Sequence, residues 1–272
     1  MAFLPELAER DAAGEAAAIY AEMKRLGAVP MVALIFRHLA SLPGGIEWAW
    51  GAIGPAWQSG QLQEAAWKIA RDAALEPIAP MPRAALALLG VDDAALREIH
   101  VVVAAYNRAN PENLLTVLCL LRILDGAKAR APIAKRNWEP PRAPGPLVAM
   151  ADVASMPREV AELLDLMAPP GSAAGPRVVQ SLYRHLVHRP AFLALVVTLL
   201  RQRVDDGSID RSAGAILVAM QGAADEIVPG LSAPPAPHAD IRRALERFGG
   251  HVIPQMIVVG GLLERGLIAH SV

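Results

Sequence analysis

Leu34-Ile35-Phe36-Arg37-His38-Leu39 and Ser181-Leu182-Tyr183-Arg184-His185-Leu186 are near copies of one another, 147 residues apart (181 minus 34). The same shift carries Pro43 onto Pro190 and Gly60 onto Gly207, so three landmarks agree on one internal duplication. This constrains the fold more than any other feature. Two similar units that meet bury one face of each copy in a shared cleft, and clefts between packed elements are a usual place for a small ligand. Whatever the repeated stretch points inward is therefore the first candidate for function.

The pattern around each copy is helical. Glu15 to Arg25 places Ile19, Met23 and Leu26 at three- and four-residue steps, and Gly27 ends that stretch. Pro30 suits the first turn of a helix from Pro30 to Leu42, closed by Pro43-Gly44-Gly45. Helices over Ile46 to Ser59 and Glu64 to Leu75 follow, and Pro77, Pro80 and Pro82 hold the next connection extended. Asp92 caps a helix from Asp93 to Arg108, Asn110-Pro111 breaks the chain, and a further helix runs from Glu112 to Leu124. From Ala127 to Ser155 proline is too dense for helix, which marks a linker. The second half resumes over Pro157 to Met167, Arg177 to His188, Phe192 to Arg203, Asp210 to Ala224, His238 to Phe248 and Pro254 to Gly266. No alternation is long enough to seed a sheet. The expected fold is all-α: two homologous multi-helix repeats, residues 1–126 and 152–272, in a pseudo-two-fold arrangement joined by a Pro-rich linker over 127–151.

Composition narrows the function. With 54% hydrophobic residues in 272, a sizeable core is buried. A net charge of −1 and 4% aromatic residues give neither the electrostatic footprint nor the stacking platforms of a nucleic-acid binder. Apolar runs such as Phe192 to Leu200 fall short of the roughly 18 residues a membrane span needs. Charges at Glu6, Glu9, Arg10 and Asp11 interrupt any export signal, so the cytoplasm is the expected compartment. Cys119 is the only cysteine and lies among Val117, Leu118, Leu120 and Leu121. That excludes a disulfide, a CxxC redox pair or a thiolate zinc cluster, and it points to a buried structural thiol. No histidine pair has metal-ligand spacing with a carboxylate nearby, so no metal is expected.

The segments FLPELAERDAAGEAAAIYAEM, VPMVALIFRHLASLPG and AAYNRANPENLLTVL, with Trp50, resemble the group I 2-haloacid dehalogenases. The likeness covers nearly the whole chain and is clearest in the first half. It implies a duplicated all-helical fold, no cofactor, and action on both stereoisomers of a small acid. In that family an aspartate on the second-repeat signature helix activates water for direct attack on the substrate α-carbon, helped by an asparagine before the Asn-Pro proline. Asn110 matches the asparagine and Ser181 the serine that precedes the aspartate, but Leu182 stands where the aspartate would be. No Asp or Glu occurs between Leu166 and Val204, so no slip of alignment restores it. The first-repeat pocket aromatics are replaced by Met31 and Leu34, and the second-repeat tyrosine by Leu245.

His185 follows Leu182 by three residues and so shares its side of a helix, and His38 repeats the geometry. Either imidazole can serve as a replacement base, neutral near pH 7, or both are satisfied core histidines at the repeat interface. Asn110 either holds water or caps the helix that begins at Pro111. Asn107 and Arg108 offer a polar rim with a cation for a substrate carboxylate. Arg37 and Arg184 turn to another face, solvated or paired. The expected catalytic set is Asn110, His185 and His38, and the expected binding set is Ser181, Leu182, Met31, Leu34, Asn107, Arg108 and Leu245. Two functions remain open: an enzyme acting on a small organic acid in the cleft, or a non-catalytic binding or interaction protein on the same fold. The expected partner is a small molecule such as a carboxylic acid, with no nucleic acid or membrane partner and a homodimer left open.

Overall fold

A computed structural model describes residues 4–152, 156–167 and 179–268, and among these there is helix but no strand. The first half contains α1 (Gly14–Leu26), α2 (Leu34–Leu39), α3 (Gly45–Gln58), α4 (Gln61–Asp72), α5 (Arg83–Leu88) and α6 (Asp93–Leu124). Residues 127–152 then carry no helix. The second half contains α7 (Arg158–Asp165), α8 (Ser181–Leu186), α9 (Pro190–Asp205), α10 (Ser208–Ile227), α11 (Asp240–Arg247) and α12 (Ile253–Ile268). A π turn over Phe248–Val252 joins α11 to α12. Arg177 and Val178, expected at the start of the second signature helix, lie outside the described residues, as do 153–155 at the end of the Pro-rich stretch.

The long helix α6 is the axis of the core and packs along α4, α10 and α12. Its start is as the sequence requires, with the Asp92 carboxylate accepting from the Ala95 amide at 2.8 Å. Its middle is not. Asn110-Pro111 does not end the helix, which continues for 32 residues with Pro111 inside. An interior proline forfeits one backbone hydrogen bond and crowds the carbonyl four residues back, at about 3 kcal/mol. The unbroken buried run from Pro111 to Leu120 supplies more than enough burial to offset that.

The signature helix α2 is shorter than the expected Pro30 to Leu42. Residues 30–33 are not helical because their polar groups are engaged elsewhere: the Val32 amide donates to Glu9 at 2.8 Å, and the Val32 carbonyl accepts from Arg37 Nη1 at 2.6 Å. One helix, α5, forms just after the proline connection, where none was expected.

The Pro-rich segment straps the two halves. The Trp138 indole donates to the Leu26 carbonyl at 3.2 Å, Arg136 pairs with Glu64 rather than being merely solvated, and the Arg184 guanidinium donates to Ala151 at 3.0 Å. Gly60 precedes α4 with φ of 74°, and a Cβ built there would overlap the Trp138 ring. Substituting Gly60→Ala is thus expected to destabilise the protein by about 1–3 kcal/mol, from αL strain plus displacement of the indole. A denaturant melt with loss of Trp fluorescence anisotropy would check it, and an unchanged midpoint would refute it.

Candidate functional site

The start of α2 with the residues just before it, the middle of α6, the start of α8 and the π turn leading into α12 line a cavity of about 50 Å³. That is space for roughly three to five waters, or a very small organic group. Helical periodicity decides what α6 contributes. Tyr106, Ala109, Asn110 and Asn113 fall at three- and four-residue steps and line the cavity together. Asn107 and Arg108, which lie 100° and 200° round from Tyr106, do not. They face a separate surface groove with Trp67 and Glu264, where Asn107 donates to Gly260 at 3.2 Å and Arg108 donates to the Ala28 and Arg142 carbonyls.

Of the other expected residues, Met31, Leu34, Asn110, Ser181 and Leu182 all line the cavity. Leu245 does not: it is fully buried in the packing of α11. Nor do the histidines. His38 is engaged at the N-terminal segment, its Nδ1 2.7 Å from the Pro5 carbonyl. His185 is buried against the Tyr106 ring, centroid to centroid 5.7 Å, and its Nδ1 has no partner. The two imidazoles are therefore held separately and do not share a ligand site. Asn110 is not a helix cap. It sits inside α6, and its amide Nδ2 is buried without a partner.

Burial is the main reason the His185 pKa falls to about 4, with His188 and Arg184 adding repulsion. The ring is thus neutral at pH 7. The sign for stability follows: neutral His185 is accommodated above its ordinary 6.5, and stability is lost as pH falls from there towards 4. An NMR titration is expected to show no protonation of His185 between pH 8 and pH 5.5. An ordinary midpoint near 6.5 would contradict the burial.

Arg37, expected on another face than the histidines and solvated or paired, is paired with Glu6, but that other face is the cavity wall. It is 4% exposed and lines the cavity. Its Nε donates to Glu6 at 2.8 Å and its Nη1 to Val32, while Nη2 is buried with no partner. Residues 30–33 are not helical, and the Val32 carbonyl accepts from Arg37 Nη1 at 2.6 Å, which holds the long side chain inward. The recurrence of arginine in both copies, Arg37 and Arg184, was the available signal. The Tyr106 hydroxyl, beside Ser181, likewise lacks a well-formed hydrogen bond, and burial pushes its pKa far up, so it acts as a donor and not a base.

Three buried donors with open capacity, on Arg37, Tyr106 and Asn110, thus line one small space. Its other walls include Leu34, Leu182, Phe248, Ile253 and Met256. No Asp or Glu is among the lining residues. Glu112 is buried near Gly27, outside the cavity; burial raises its pKa well above the ordinary value, and neither oxygen has a partner. Cys119 is buried too, its thiol pKa raised by burial, as befits a structural residue. Among the described residues no group of three or more His, Cys, Asp or Glu is arranged to hold a metal, and no helix is long and apolar enough to cross a membrane.

Comparison with known proteins bears on this geometry. A configuration-inverting 2-haloacid dehalogenase from Alcaligenes xylosoxydans xylosoxydans is 30% identical over 178 residues, covering 61% of this chain and 59% of that protein. Over that stretch the chain is similar in sequence to a 2-haloacid dehalogenase. It spans about three-fifths of that curated relative. The fold match is wider: a D-2-haloacid dehalogenase in complex with L-LA superposes with a TM-score of 0.77 at 16% identity, over 98% of this chain and 97% of that one. A mutant D-2-haloacid dehalogenase with D-2-CPA gives 0.76 at 17% identity, over the same shares. No family model matches the chain. The dehalogenase resemblance and the all-helical fold are thus supported from sequence and from structure.

Proposed function

We propose that this protein binds a small carboxylic acid in the cavity between α2, α6, α8 and α12, and does not hydrolyse 2-haloacids. The observation that carries the reading is the set of unpartnered buried donors, Arg37 Nη2, Tyr106 OH and Asn110 Nδ2, in a cavity with no carboxylate among the described residues of its lining. A carboxylate satisfies donors of this kind with charge-assisted hydrogen bonds, and the apolar wall accepts a short aliphatic remainder. Leu182 occupies the position where the resemblance expects the base. His185, the candidate replacement, contacts Tyr106 and is absent from the lining.

The likeness to proteins named for 2-haloacids supports an acid of that size as ligand. Two repeats over 1–126 and 152–272 remain our reading of the architecture. Three correspondences support it: α2 and α8 begin 147 residues apart, Gly60 and Gly207 both adopt positive φ before α4 and α10, and α6 and α11 begin at Asp93 and Asp240. On this reading the cavity sits where the two copies of the signature helix approach α6.

Calorimetric titration with propionate and with 2-chloropropionate, run beside a halide-release assay, tests the proposal. Saturable binding of both without chloride release is expected. Absence of binding would remove the carboxylate site, and halide release at ordinary enzymatic rates of about 1 s⁻¹ or more would establish the enzyme reading instead.

A further inference from the structure

The Met256 side chain lines the cavity on one side and a second chamber on the other, of about 10 Å³. Consecutive residues of α8 divide in the same way, Leu182 lining the first space and Tyr183 the second. The second chamber is chemically distinct. Tyr183 is 1% exposed and its hydroxyl has no hydrogen-bond partner. Gln255, also buried, donates from Nε2 to Asp210 at 2.6 Å, and Asp210 is itself exposed. A buried phenol left without a partner is costly, so this chamber is suited to a polar group. Its volume matches one water-sized group.

We propose that Met256 sets the length of acid this protein accepts, and that the chamber behind it takes the distal hydroxyl of a longer hydroxy acid once that side chain is moved or shortened. This rests on the reading of the first cavity as a carboxylate site. Methionine suits such a partition, because it is unbranched, has three rotatable side-chain bonds and fills irregular gaps without a fixed shape. With the carboxylate held by Arg37, Tyr106 and Asn110, chain growth past Met256 leads to Tyr183. The ligand class that uses both spaces is an aliphatic acid with a terminal hydroxyl. An acid of two or three carbons needs only the first.

The test is calorimetric titration of propionate, hexanoate and 6-hydroxyhexanoate into the parent protein, Met256→Ala, Met256→Phe, and Met256→Ala combined with Tyr183→Phe. Met256→Ala is expected to raise the affinity ratio of 6-hydroxyhexanoate to propionate about 10-fold, in the range that pocket volume changes produce. Adding Tyr183→Phe should abolish the advantage of 6-hydroxyhexanoate over hexanoate, and Met256→Phe should move the length preference the opposite way, so the outcome does not depend on one variant folding. If propionate binds and the ratio of long to short acid stays constant across the variants, Met256 is not the length-setting residue. If propionate binds none of them, the carboxylate site itself is wrong and the length role falls with it.

Discussion

Leu182→Asp is expected to produce halide release from 2-chloropropionate at least about 10²-fold above the parent protein, whose own release should be indistinguishable from background. The position is 1% exposed, lines the cavity, follows Ser181 and shares that space with the Asn110 amide and the Tyr106 hydroxyl. A carboxylate there would stand among donors able to hold it and a water together. General-base assistance of that kind is worth about 10²–10⁴-fold. Burial would also raise the new group's pKa, so the activity should rise with pH. Leu182→Asn, similar in shape but without a base, is the control and should stay inactive. A parent protein that already releases halide at enzymatic rates would show that no carboxylate is needed at this position. A folded, acid-binding Leu182→Asp that remains inert would show that the surrounding geometry has drifted beyond rescue by one residue.

Arg37→Met is expected to weaken binding of propionate by about 10- to 100-fold. Hydrogen bonds to a charged group contribute about 1.5–3 kcal/mol, and among the described residues the lost guanidinium supplies the only full positive charge in the cavity lining. It should also lower stability, since Glu6 and the Val32 carbonyl lose their partner. Tyr106→Phe separates the two effects. It removes one donor and leaves the ion pair with Glu6 intact, so it should weaken binding several-fold with a smaller change in melting temperature. Calorimetry beside thermal melts distinguishes the cases. Equal propionate affinity in the parent and in both variants would take Arg37 out of the site.

Several site residues were legible from order along the chain. Met31, Leu34, Asn110, Ser181 and Leu182 were reached through their places in the repeated stretch and the dehalogenase likeness, and all five line one cavity. Others were not legible, each for a stated reason. Asn107 and Arg108 neighbour Asn110 in sequence, but treating Asn110-Pro111 as a break hid the continuous helix that rotates them to another face. His185 has the right register on α8, yet the Tyr106 ring packs against it; a side chain from 79 residues earlier (185 minus 106) decided that. Arg37 was placed on another face than the histidines, solvated or paired; it does pair, with Glu6, but that face is the one that lines the cavity.

Periodicity, caps and breakers are local signals, and here they determined by themselves that the chain is helical, that Asp92 starts a long helix and that residues 127–151 are not helix. Absence is equally local: no carboxylate in the stretch from Leu166 to Val204 is a fact of sequence that no packing can alter. Which donors are left without partners is a different kind of fact. Arg37 Nη2, Tyr106 OH and Asn110 Nδ2 have open capacity only because Glu6, Val32 and the walls of four separate elements satisfy or shield everything around them. Hydrogen-bond satisfaction is counted over all neighbours in space, so only the tertiary structure decided which donors are left open to the cavity.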